Sequence, residues 1–330
     1  MIVIEHLCPD IAPDLERVAG EIASIATSDY APLSDAAARI AATPGKRLRP
    51  GLLLLSARAC GDAGPRAILP AAVIEVLHVV SLVHDDVIDE ADTRRGGPAA
   101  RSLWGNKMAV LLGDHLVASA FQRVTESPDT DLMQELAATA LEMCRGQIQE
   151  ITLAGAELTE AQYLEIVSAK TASLFAASCR LGAAAAEAGP VERRALDSFG
   201  RHFGIAYQIS DDLLDLAAAP EEIGKPVARD LHQGQVTLPV IYALREGSAS
   251  QRAELIACLN GGGHDLDLPR IRDLIADAGG FEYAADRVRC YAGDAMEELG
   301  SLPPTPARDC LAALAREGLA TPIIAGGGGS

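Results

Sequence analysis

The stretch that decides the fold is residues 70–96, which read PAAVIEVLHVVSLVHDDVIDEADTRRG. Pro70 suits the first turn of a helix, and about four largely apolar turns follow it. The polar positions recur at steps of three and four and therefore form one stripe. They are Glu75, His78, Ser81 or Leu82, Asp85 and Asp89. Because the other faces are apolar, the sequence predicts a buried helix whose carboxylates point into an internal cavity and need metal or cationic partners.

A second segment repeats this pattern at residues 204–215, which read GIAYQISDDLLD. Both segments end in Asp-Asp-x-x-Asp, so Asp85 and Asp89, like Asp211 and Asp215, lie one helical turn apart. Converging carboxylates repel unless cations neutralise them, and Mg²⁺ binds one or two carboxylates together with water and phosphate oxygens. The alternative is two solvated acidic helix ends, which the helix dipole disfavours at a C-terminus. The repeated pattern favours a divalent metal site.

The composition is typical of a helical intracellular protein. Of the 330 residues, 49% are hydrophobic and only 4% aromatic, and the dominance of Ala and Leu favours helix over strand. The net charge of −18 argues against a nucleic acid partner. The seven dispersed cysteines include no Cys-x-x-Cys pair and indicate a reducing compartment. Without a signal peptide or an apolar run of roughly 18 residues, we expect a cytoplasmic protein with no transmembrane segment.

Two basic clusters accompany the first acidic motif. Lys46, Arg47 and Arg49 lie in a short turn before it, and Arg94 and Arg95 follow it. A solvated turn is the simpler interpretation of the first cluster, but guanidinium groups also suit phosphate because their donors form a fork. Beside metal-binding aspartates, the arginines favour a phosphate-bearing substrate.

The rest of the chain is predicted to be helical. We expect helices over residues 10–43 (two helices, broken near Tyr30), 100–127, 129–153, 158–188, 190–217 and from 237 onward. No β-alternation, internal repeat or nucleotide-binding glycine loop is present. We therefore expect one all-α domain over residues 1–325. Residues 326–330 read GGGGS, the composition of a linker or tag remnant, and take no part in the predicted fold.

Taken in order, these motifs resemble those of the trans-isoprenyl (polyprenyl) diphosphate synthase family, over about residues 30–316. The matching segments are Gly45–Pro50, His84–Asp89 with Arg94–Gly96, Gly113–Asp114, Gly146–Gln147, Lys170–Thr171, Gln208–Asp215, Gly224–Pro226 and Thr237–Pro239. The resemblance implies an isoprenoid synthase-type bundle of antiparallel helices around a central cavity, as a homodimer.

The resemblance also implies the reaction and its residues. The reaction is head-to-tail condensation of isopentenyl diphosphate with an allylic diphosphate, with about three Mg²⁺ ions per active site. The catalytic set is Asp85, Asp86, Asp89, Asp211, Asp212, Asp215 and Lys170, of which Asp85, Asp89 and Asp211 are the expected metal ligands. The allylic diphosphate would be held by Arg94, Lys170, Thr171, Gln208 and Lys225, and isopentenyl diphosphate by Lys46, Arg49, His78 and Arg95.

Three positions depart from the family pattern. Ala228 stands where a glycine is usual, Gln235 where a lysine is usual, and His115 where an aromatic or aliphatic residue is common. The change at Gln235 removes one positive charge near the leaving group. Neither acidic motif is affected.

Product length depends, by the same resemblance, on the residues that precede Asp85. Bulky aromatic side chains there give short products in the family, whereas Leu77, Val80 and Ser81 are not aromatic. A longer cavity holds a longer chain, so we expect a product of about C30 to C50.

Three functions remain open. The first is the prenyltransferase, including the shorter geranylgeranyl or farnesyl diphosphate synthases. The second is a terpene cyclase on the same scaffold, which would not need the isopentenyl diphosphate residues Lys46, Arg49, His78 and Arg95. The third is a non-catalytic partner subunit, a class that tends to lose its acidic motifs. Because both acidic motifs and the residues for isopentenyl diphosphate are all present, the sequence favours the prenyltransferase.

Overall fold

The computed structural model describes residues 4–41, 45–94, 96–127, 130–153, 155, 158–217, 229–232, 234–260, 266–317 and 319. Over these residues the chain is helical, and the predicted all-α class is confirmed. In chain order the helices are α1 (Ile4–Leu7), α2 (Ala12–Ile25), α3 (Ala31–Ala41), α4 (Leu48–Ala59), α5 (Ile68–Ile88), α6 (Ala100–Trp104), α7 (Asn106–Thr125), α8 (Thr130–Thr152), α9 (Glu160–Val167), α10 (Ser173–Ala185), α11 (Pro190–Ala217), α12 (Arg229–His232), α13 (Leu238–Glu246), α14 (Ala249–Asn260), α15 (Leu268–Asp277), α16 (Gly280–Glu298) and α17 (Pro306–Glu317). Short 3-10 turns occur at Pro9–Ile11, Gly64–Ala67 and Leu299–Ser301.

The described residues group into two compact units. The first unit contains residues 1–141, 174–200 and 298–314, and the second contains residues 142–173, 201–297 and 315–330. The first acidic motif belongs to the first unit and the second motif to the second. That residues 1–325 form a single domain remains a prediction, and the terminal linker lies outside the described residues.

Helix α5 is the buried helix of the first unit. It begins at Ile68, two residues before the predicted start, and packs against α2, α4 and α7. Residues 64–88 are long and apolar enough to cross a membrane, with a mean hydropathy of 1.9, but 72% of the apolar window is buried inside the protein. This degree of burial is typical of a core helix, which can be as long and as apolar as a helix that crosses a membrane.

The predicted helix over residues 100–127 is interrupted. Gly105, with φ of 78°, separates α6 from α7 because this left-handed conformation cannot continue a right-handed helix. Before α6, strands β1 (Thr93–Arg94) and β2 (Gly97–Pro98) pair antiparallel. This short hairpin was not predicted, since two-residue strands carry no alternation pattern.

The predicted helix over residues 158–188 is α9, a π-helical turn and α10. A capping box at Thr159 and Gln162 starts α9, and each side chain satisfies a backbone N–H that the first turn leaves free. The π-helical turn spans Ser168–Ala172, and the N–H of Ser173 donates to the carbonyl of Ser168. Such wider turns frequently occur at functional sites.

Candidate functional site

In the first acidic motif, the middle aspartate faces a different partner from the outer two. Asp86 is 2% exposed, and its Oδ1 accepts hydrogen bonds from Arg94 at 2.7 Å from Nε and 2.5 Å from Nη2. Asp85 and Asp89 are half-buried, and Asp89 follows the last residue of α5 with its N–H donating to the carbonyl of Asp85. The outer carboxylates are thus the accessible ones, while Asp86 is bound within the protein.

The pairing of Asp86 with Arg94 explains the hairpin. A buried carboxylate is costly unless a charged group satisfies it, and the guanidinium fork does so with two donors. Since Arg94 lies in β1, the ion pair attaches the β1–β2 hairpin to the C-terminal turn of α5. Arg94 was predicted to hold the allylic diphosphate; here its guanidinium contacts Asp86.

Gly113, one of the family-like motif residues, makes room for a histidine of the acidic motif. A Cβ on Gly113 would lie 2.3 Å from Nε2 of His84, so a side chain at this position would displace the imidazole. His84 Nε2 lies 3.3 Å from the carbonyl oxygen of Val110 and 3.7 Å from Oδ1 of Asp114. The Gly-Asp pair therefore positions His84 beside Asp85.

The three basic residues before and at the start of α4, which are Lys46, Arg47 and Arg49, have different surroundings. Arg47 adopts a left-handed conformation, with φ of 46°, and its Nη1 lies 3.2 Å from Oε1 of Glu16. The guanidinium carbon of Arg49 lies 4.3 Å from the centre of the Phe175 ring, a cation–π distance. Lys46 and Arg49 are half-buried, as is His78 on α5. Arg47 thus contacts Glu16 of α2 at the surface, and Arg49 lies on an aromatic face.

In the second acidic motif, the middle aspartate is again the buried one. Asp212 is 5% exposed, and both of its oxygens accept hydrogen bonds: Oδ2 from the Tyr163 hydroxyl at 2.5 Å and Oδ1 from Gln208 Nε2 at 2.7 Å. Asp211 is exposed and Asp215 half-buried. In each motif, taken by itself, the middle carboxylate is thus more buried than the outer two. The backbone N–H of Asp230 also donates to Oδ2 of Asp215 at 3.4 Å.

Asp212 differs from Asp86 because the hydrogen-bond donors to its carboxylate, Tyr163 and Gln208, are neutral. Burial raises the pKa of Asp212 to about 7, against the hydrogen bonds from Tyr163 and Gln208, which lower it, while the nearby Asp211 charge raises it further. Burial and the Asp212 carboxyl hold the pKa of Tyr163 well above its usual value. The phenol therefore keeps its proton and acts as the donor.

The π-helical turn directs Lys170 and Thr171 to two different helices. Lys170 Nζ lies 2.5 Å from Oε2 of Glu150 on α8, and that same oxygen accepts a hydrogen bond of 3.1 Å from Gln147 Nε2. The Thr171 hydroxyl donates to Oε1 of Gln208 on α11 at 2.9 Å. Of the predicted diphosphate-binding residues, Lys170, Thr171 and Gln208 are therefore brought together around Asp212 and Glu150.

Gly146 allows this arrangement. A Cβ at Gly146 would lie 2.4 Å from the backbone nitrogen of Lys170, so α8 contacts the π-helical turn at backbone distance. Only a residue without a side chain permits such an approach. This contact explains why the Gly146–Gln147 motif has glycine at its first position.

The outer carboxylates fit a metal that is shared with a substrate. Among the described residues, no group of three or more His, Cys, Asp or Glu side chains is placed to hold a metal by itself. Mg²⁺ normally takes one or two protein carboxylates and completes its shell with water and phosphate oxygens. The pairs Asp85 with Asp89 and Asp211 with Asp215 suit this mode of binding.

The predicted chain-length residues occupy different faces of α5. Leu77 and Val80 are buried, and the half-buried Ser81 donates its hydroxyl to the carbonyl of His78 at 2.8 Å. Ser81 precedes Asp85 by four residues, or about 40° around the helix, whereas Val80 lies about 140° away. Ser81 therefore shares the face of Asp85, and Val80 does not.

A pocket that opens to solvent lies on a further flank of α5. Its lining includes Val79, Leu82 and Asp86 of α5 together with Arg39 and Trp104. None of the three predicted chain-length residues is among the lining residues.

The structure does not test the predicted roles of several residues. Arg95, Lys225 and the departure at Ala228 lie outside the described residues. The backbone N–H of Gln235 donates to the carbonyl of Asp230 at 2.8 Å, and His115 Nε2 lies 3.5 Å from the hydroxyl of Ser119. Their predicted effects on the reaction remain predictions.

Sequence reasoning missed two residues of this site, Tyr163 and Glu150. Tyr163 precedes Lys170 by seven residues, a spacing of two helical turns that could have drawn attention to it. Glu150 follows Gln147 by three residues on the same face of α8. Neither spacing reveals the partner, because the contacts to Asp212 and Lys170 are made between helices.

Comparison with known proteins places these motifs in a family context. The family model described as polyprenyl synthetase matches residues 31–273. The short chain isoprenyl diphosphate synthase of Methanothermobacter thermautotrophicus is 36% identical over 93% of this chain and 96% of its own length. Heptaprenyl diphosphate synthase component 2 of Bacillus subtilis is 37% identical over 92% and 86%.

A solved structure agrees with the fold as well. The polyprenyl synthase of Caulobacter crescentus CB15, crystallised with calcium and isoprenyl diphosphate, superposes with a TM-score of 0.88 and 32% identity, over 96% of this chain and 97% of that one. The predicted isoprenoid synthase-type fold is confirmed by this likeness.

Proposed function

The chain is a prenyltransferase of the polyprenyl synthetase family, and from that premise we propose that it condenses isopentenyl diphosphate head-to-tail with an allylic diphosphate to give an all-trans polyprenyl diphosphate of about C30 to C50. The observation that carries this proposal is the arrangement in each acidic motif, where the middle aspartate is bound internally and the outer two are accessible. A site built this way offers carboxylates to a metal without leaving a buried charge unpaired.

In this reaction the allylic C–O bond breaks first, leaving an allylic cation and a diphosphate. Asp85, Asp89 and Asp211 would hold Mg²⁺, which stabilises the negative charge that develops on the leaving diphosphate. Lys170 and Thr171 would donate to the same diphosphate, with Arg94, Gln208 and Lys225 completing its site. Lys170 would exchange its contact with Glu150 for the substrate.

The second substrate then adds to the cation. Lys46, Arg49, His78 and Arg95 would hold isopentenyl diphosphate, whose double bond attacks the cationic carbon. The released diphosphate accepts the proton that leaves the new chain. Apolar walls of the cavity would exclude water, which would otherwise quench the cation.

The protein is proposed to act in the cytoplasm as a homodimer. Large apolar side chains recur along the outer surface of α8, where Leu141 is 73% exposed, Ile148 61% and Ile151 55%. An apolar stripe of this kind indicates a protein contact. A second copy of the chain is the proposed occupant.

A partner subunit is the second candidate. The Bacillus subtilis relative favours it, because its name describes one component of a heptaprenyl diphosphate synthase. In this case product formation would require another protein. A terpene cyclase is disfavoured by the presence of Lys46, Arg49 and His78, since a cyclase has no second diphosphate to hold.

The deciding experiment is a Mg²⁺-dependent incubation of the purified chain with labelled isopentenyl diphosphate and, separately, dimethylallyl, geranyl, farnesyl and geranylgeranyl diphosphate. Products are dephosphorylated and sized by chromatography. A ladder ending at a defined length supports the synthase and gives its product. A hydrocarbon formed from an allylic diphosphate alone would indicate a cyclase. If the chain alone forms no product but forms one when a second protein is added, it would be a subunit of a larger synthase.

A further inference from the structure

Tyr163 is a buried phenol that contacts the acidic motif of the second unit. It lies on α9, is 5% exposed, and donates to Oδ2 of Asp212 at 2.5 Å. The other oxygen of Asp212 accepts from Gln208. Tyr163 therefore supplies the donor for one of the two oxygens of a buried carboxylate.

The same hydrogen-bond chain reaches the π-helical turn. Gln208 donates to Asp212 through Nε2 and accepts from Thr171 through Oε1. Tyr163 and Thr171 belong to one continuous helical segment, separated by eight residues, and both are tied to α11 within the window 208–212. The two hydrogen bonds, Tyr163 to Asp212 and Thr171 to Gln208, together fix the rotation of α11 relative to the π-helical turn. A single hydrogen bond would let α11 rotate about that one contact.

We propose that Tyr163 is a positioning residue of the diphosphate site, which acts through Asp212 to hold the outer aspartates of the second motif and Thr171 in place. The inference rests on the proposed function, because it assigns Tyr163 to the same site. Tyr163 touches neither substrate nor metal in this role. It fixes the middle aspartate and thereby the helical turn that carries Asp211 and Asp215.

Removing the hydroxyl alone isolates this role. In Tyr163→Phe the ring still fills its space, but Oδ2 of Asp212 loses its donor while buried. A carboxylate in that condition is destabilised and turns toward other donors or cations. The second motif then loses its fixed geometry, and groups that orient metal ligands typically contribute about 10- to 100-fold to metal affinity or activity.

The experiment compares Tyr163→Phe with a matched control, Tyr283→Phe. The Tyr283 hydroxyl also donates to a carboxylate at 2.7 Å, that of Glu160, which belongs to the same unit but is not part of the acidic motif. Binding is measured with Mn²⁺ as a paramagnetic probe: protein and inorganic diphosphate are titrated, and the spectrum of free Mn²⁺ gives the dissociation constant. Thermal unfolding of each variant is recorded in parallel.

We expect Tyr163→Phe to raise the Mn²⁺ dissociation constant, measured with diphosphate present, about 10-fold or more and to lower kcat by a similar factor. Tyr283→Phe should leave both within about two-fold, even where it lowers the unfolding temperature equally. Equal Mn²⁺ binding in wild type and Tyr163→Phe would overturn the inference. So would an equal loss of Mn²⁺ binding in Tyr283→Phe, since that would indicate a general loss of stability.

The outcome is separable from the proposed function. If the wild-type chain binds Mn²⁺ and diphosphate through the second motif but forms no prenyl product, the proposed reaction fails while the comparison of variants still decides the role of Tyr163. If wild type forms product and Tyr163→Phe matches it in kcat and Mn²⁺ binding, the inference alone fails.

Discussion

At the scale of single residues, the two middle aspartates are buried by different chemistry. Asp86 has a cationic partner, Arg94, whereas Asp212 has the neutral donors Tyr163 and Gln208. A charged partner removes the electrostatic cost of burial, while neutral donors remove only part of it, which is why the pKa of Asp212 is raised to about 7. The residues that are expected to meet the metal are their neighbours in sequence.

The outer aspartates give the first prediction. Asp85→Ala or Asp211→Ala should lower kcat at saturating Mg²⁺ by roughly 100-fold or more, because each removes a carboxylate that holds the charge-stabilising ion. Asp309→Ala, at a surface side chain that is 74% exposed, serves as control. Steady-state kinetics and circular dichroism check the result. Full activity in both motif variants would contradict the metal assignment.

The ion pair of Asp86 gives a second prediction, on stability. Arg94→Met leaves the buried carboxylate without its guanidinium and should lower the free energy of unfolding by about 3 kcal/mol. The double variant Asp86→Leu/Arg94→Met removes both charges and should recover to within about 1–2 kcal/mol of wild type. Urea denaturation of the three proteins measures both. A double variant as unstable as Arg94→Met would contradict the ion-pair explanation.

At the scale of elements, the π-helical turn is the feature that most affects the site. It places consecutive residues, Lys170 and Thr171, against Glu150 and Gln208 on two different helices. The close approach of Gly146 to Lys170 keeps the turn against α8.

The third prediction tests that contact. Gly146→Ala should lower the free energy of unfolding by about 1–3 kcal/mol, because the added Cβ meets backbone that cannot move aside easily. It should also raise the KM for the allylic diphosphate by disturbing Lys170. Gly293→Ala, in α16 with no atom within 4 Å of the added Cβ, should instead stabilise the protein by up to about 1 kcal/mol. Equal effects of the two changes would contradict the packing argument.

Helix α5 gives the fourth prediction, on product length. Ser81→Phe should shorten the product by one or more isoprene units, because Ser81 shares the face of Asp85 along which the chain is expected to grow. Ser81→Ala removes the hydroxyl without adding bulk and should leave the length unchanged. Chromatography of the dephosphorylated products measures both. An unaltered ladder in Ser81→Phe would place the end of the cavity elsewhere.

The sequence was informative about α5 and α11, because in both the apolar faces and the polar stripe follow a helical period. It did not reveal the π-helical turn, since one extra residue in a single turn barely shifts a pattern that is read over many. It also could not show that Arg94 binds Asp86, or that Tyr163 reaches Asp212. Such pairings depend on how elements pack, whereas spacing reports only on neighbours within one element.

At the scale of the whole molecule, the exposed apolar face of α8 is a surface that we expect a partner to cover. Leu141, Ile148 and Ile151 are separated by seven and three residues, so they form one stripe along the helix. Exposed apolar side chains lose unfavourable contact with water when a second surface covers them. This is the physical basis of the proposed homodimer.

The fifth prediction concerns assembly. The wild-type chain should sediment with twice the mass of one chain, and Ile148→Glu should shift it toward the monomer, because a charge in an apolar contact is costly. Val191→Glu, at a side chain that is 52% exposed on another helix, should leave the mass unchanged. Sedimentation equilibrium measures all three. A wild-type monomer would contradict the proposed homodimer.

The buried middle aspartates also bear on how such a chain can change over generations. Because Asp86 and Asp212 make buried contacts within the protein while their neighbours Asp85, Asp89 and Asp211 are more exposed, substitutions of the more exposed residues can abolish chemistry without unfolding the chain. A duplicated gene could therefore lose its catalysis first and keep its shape, leaving a folded protein free to acquire a supporting role. The reverse order, loss of a middle aspartate first, would leave its partner Arg94 or Tyr163 without an acceptor and would lower the stability of the fold as well as the activity.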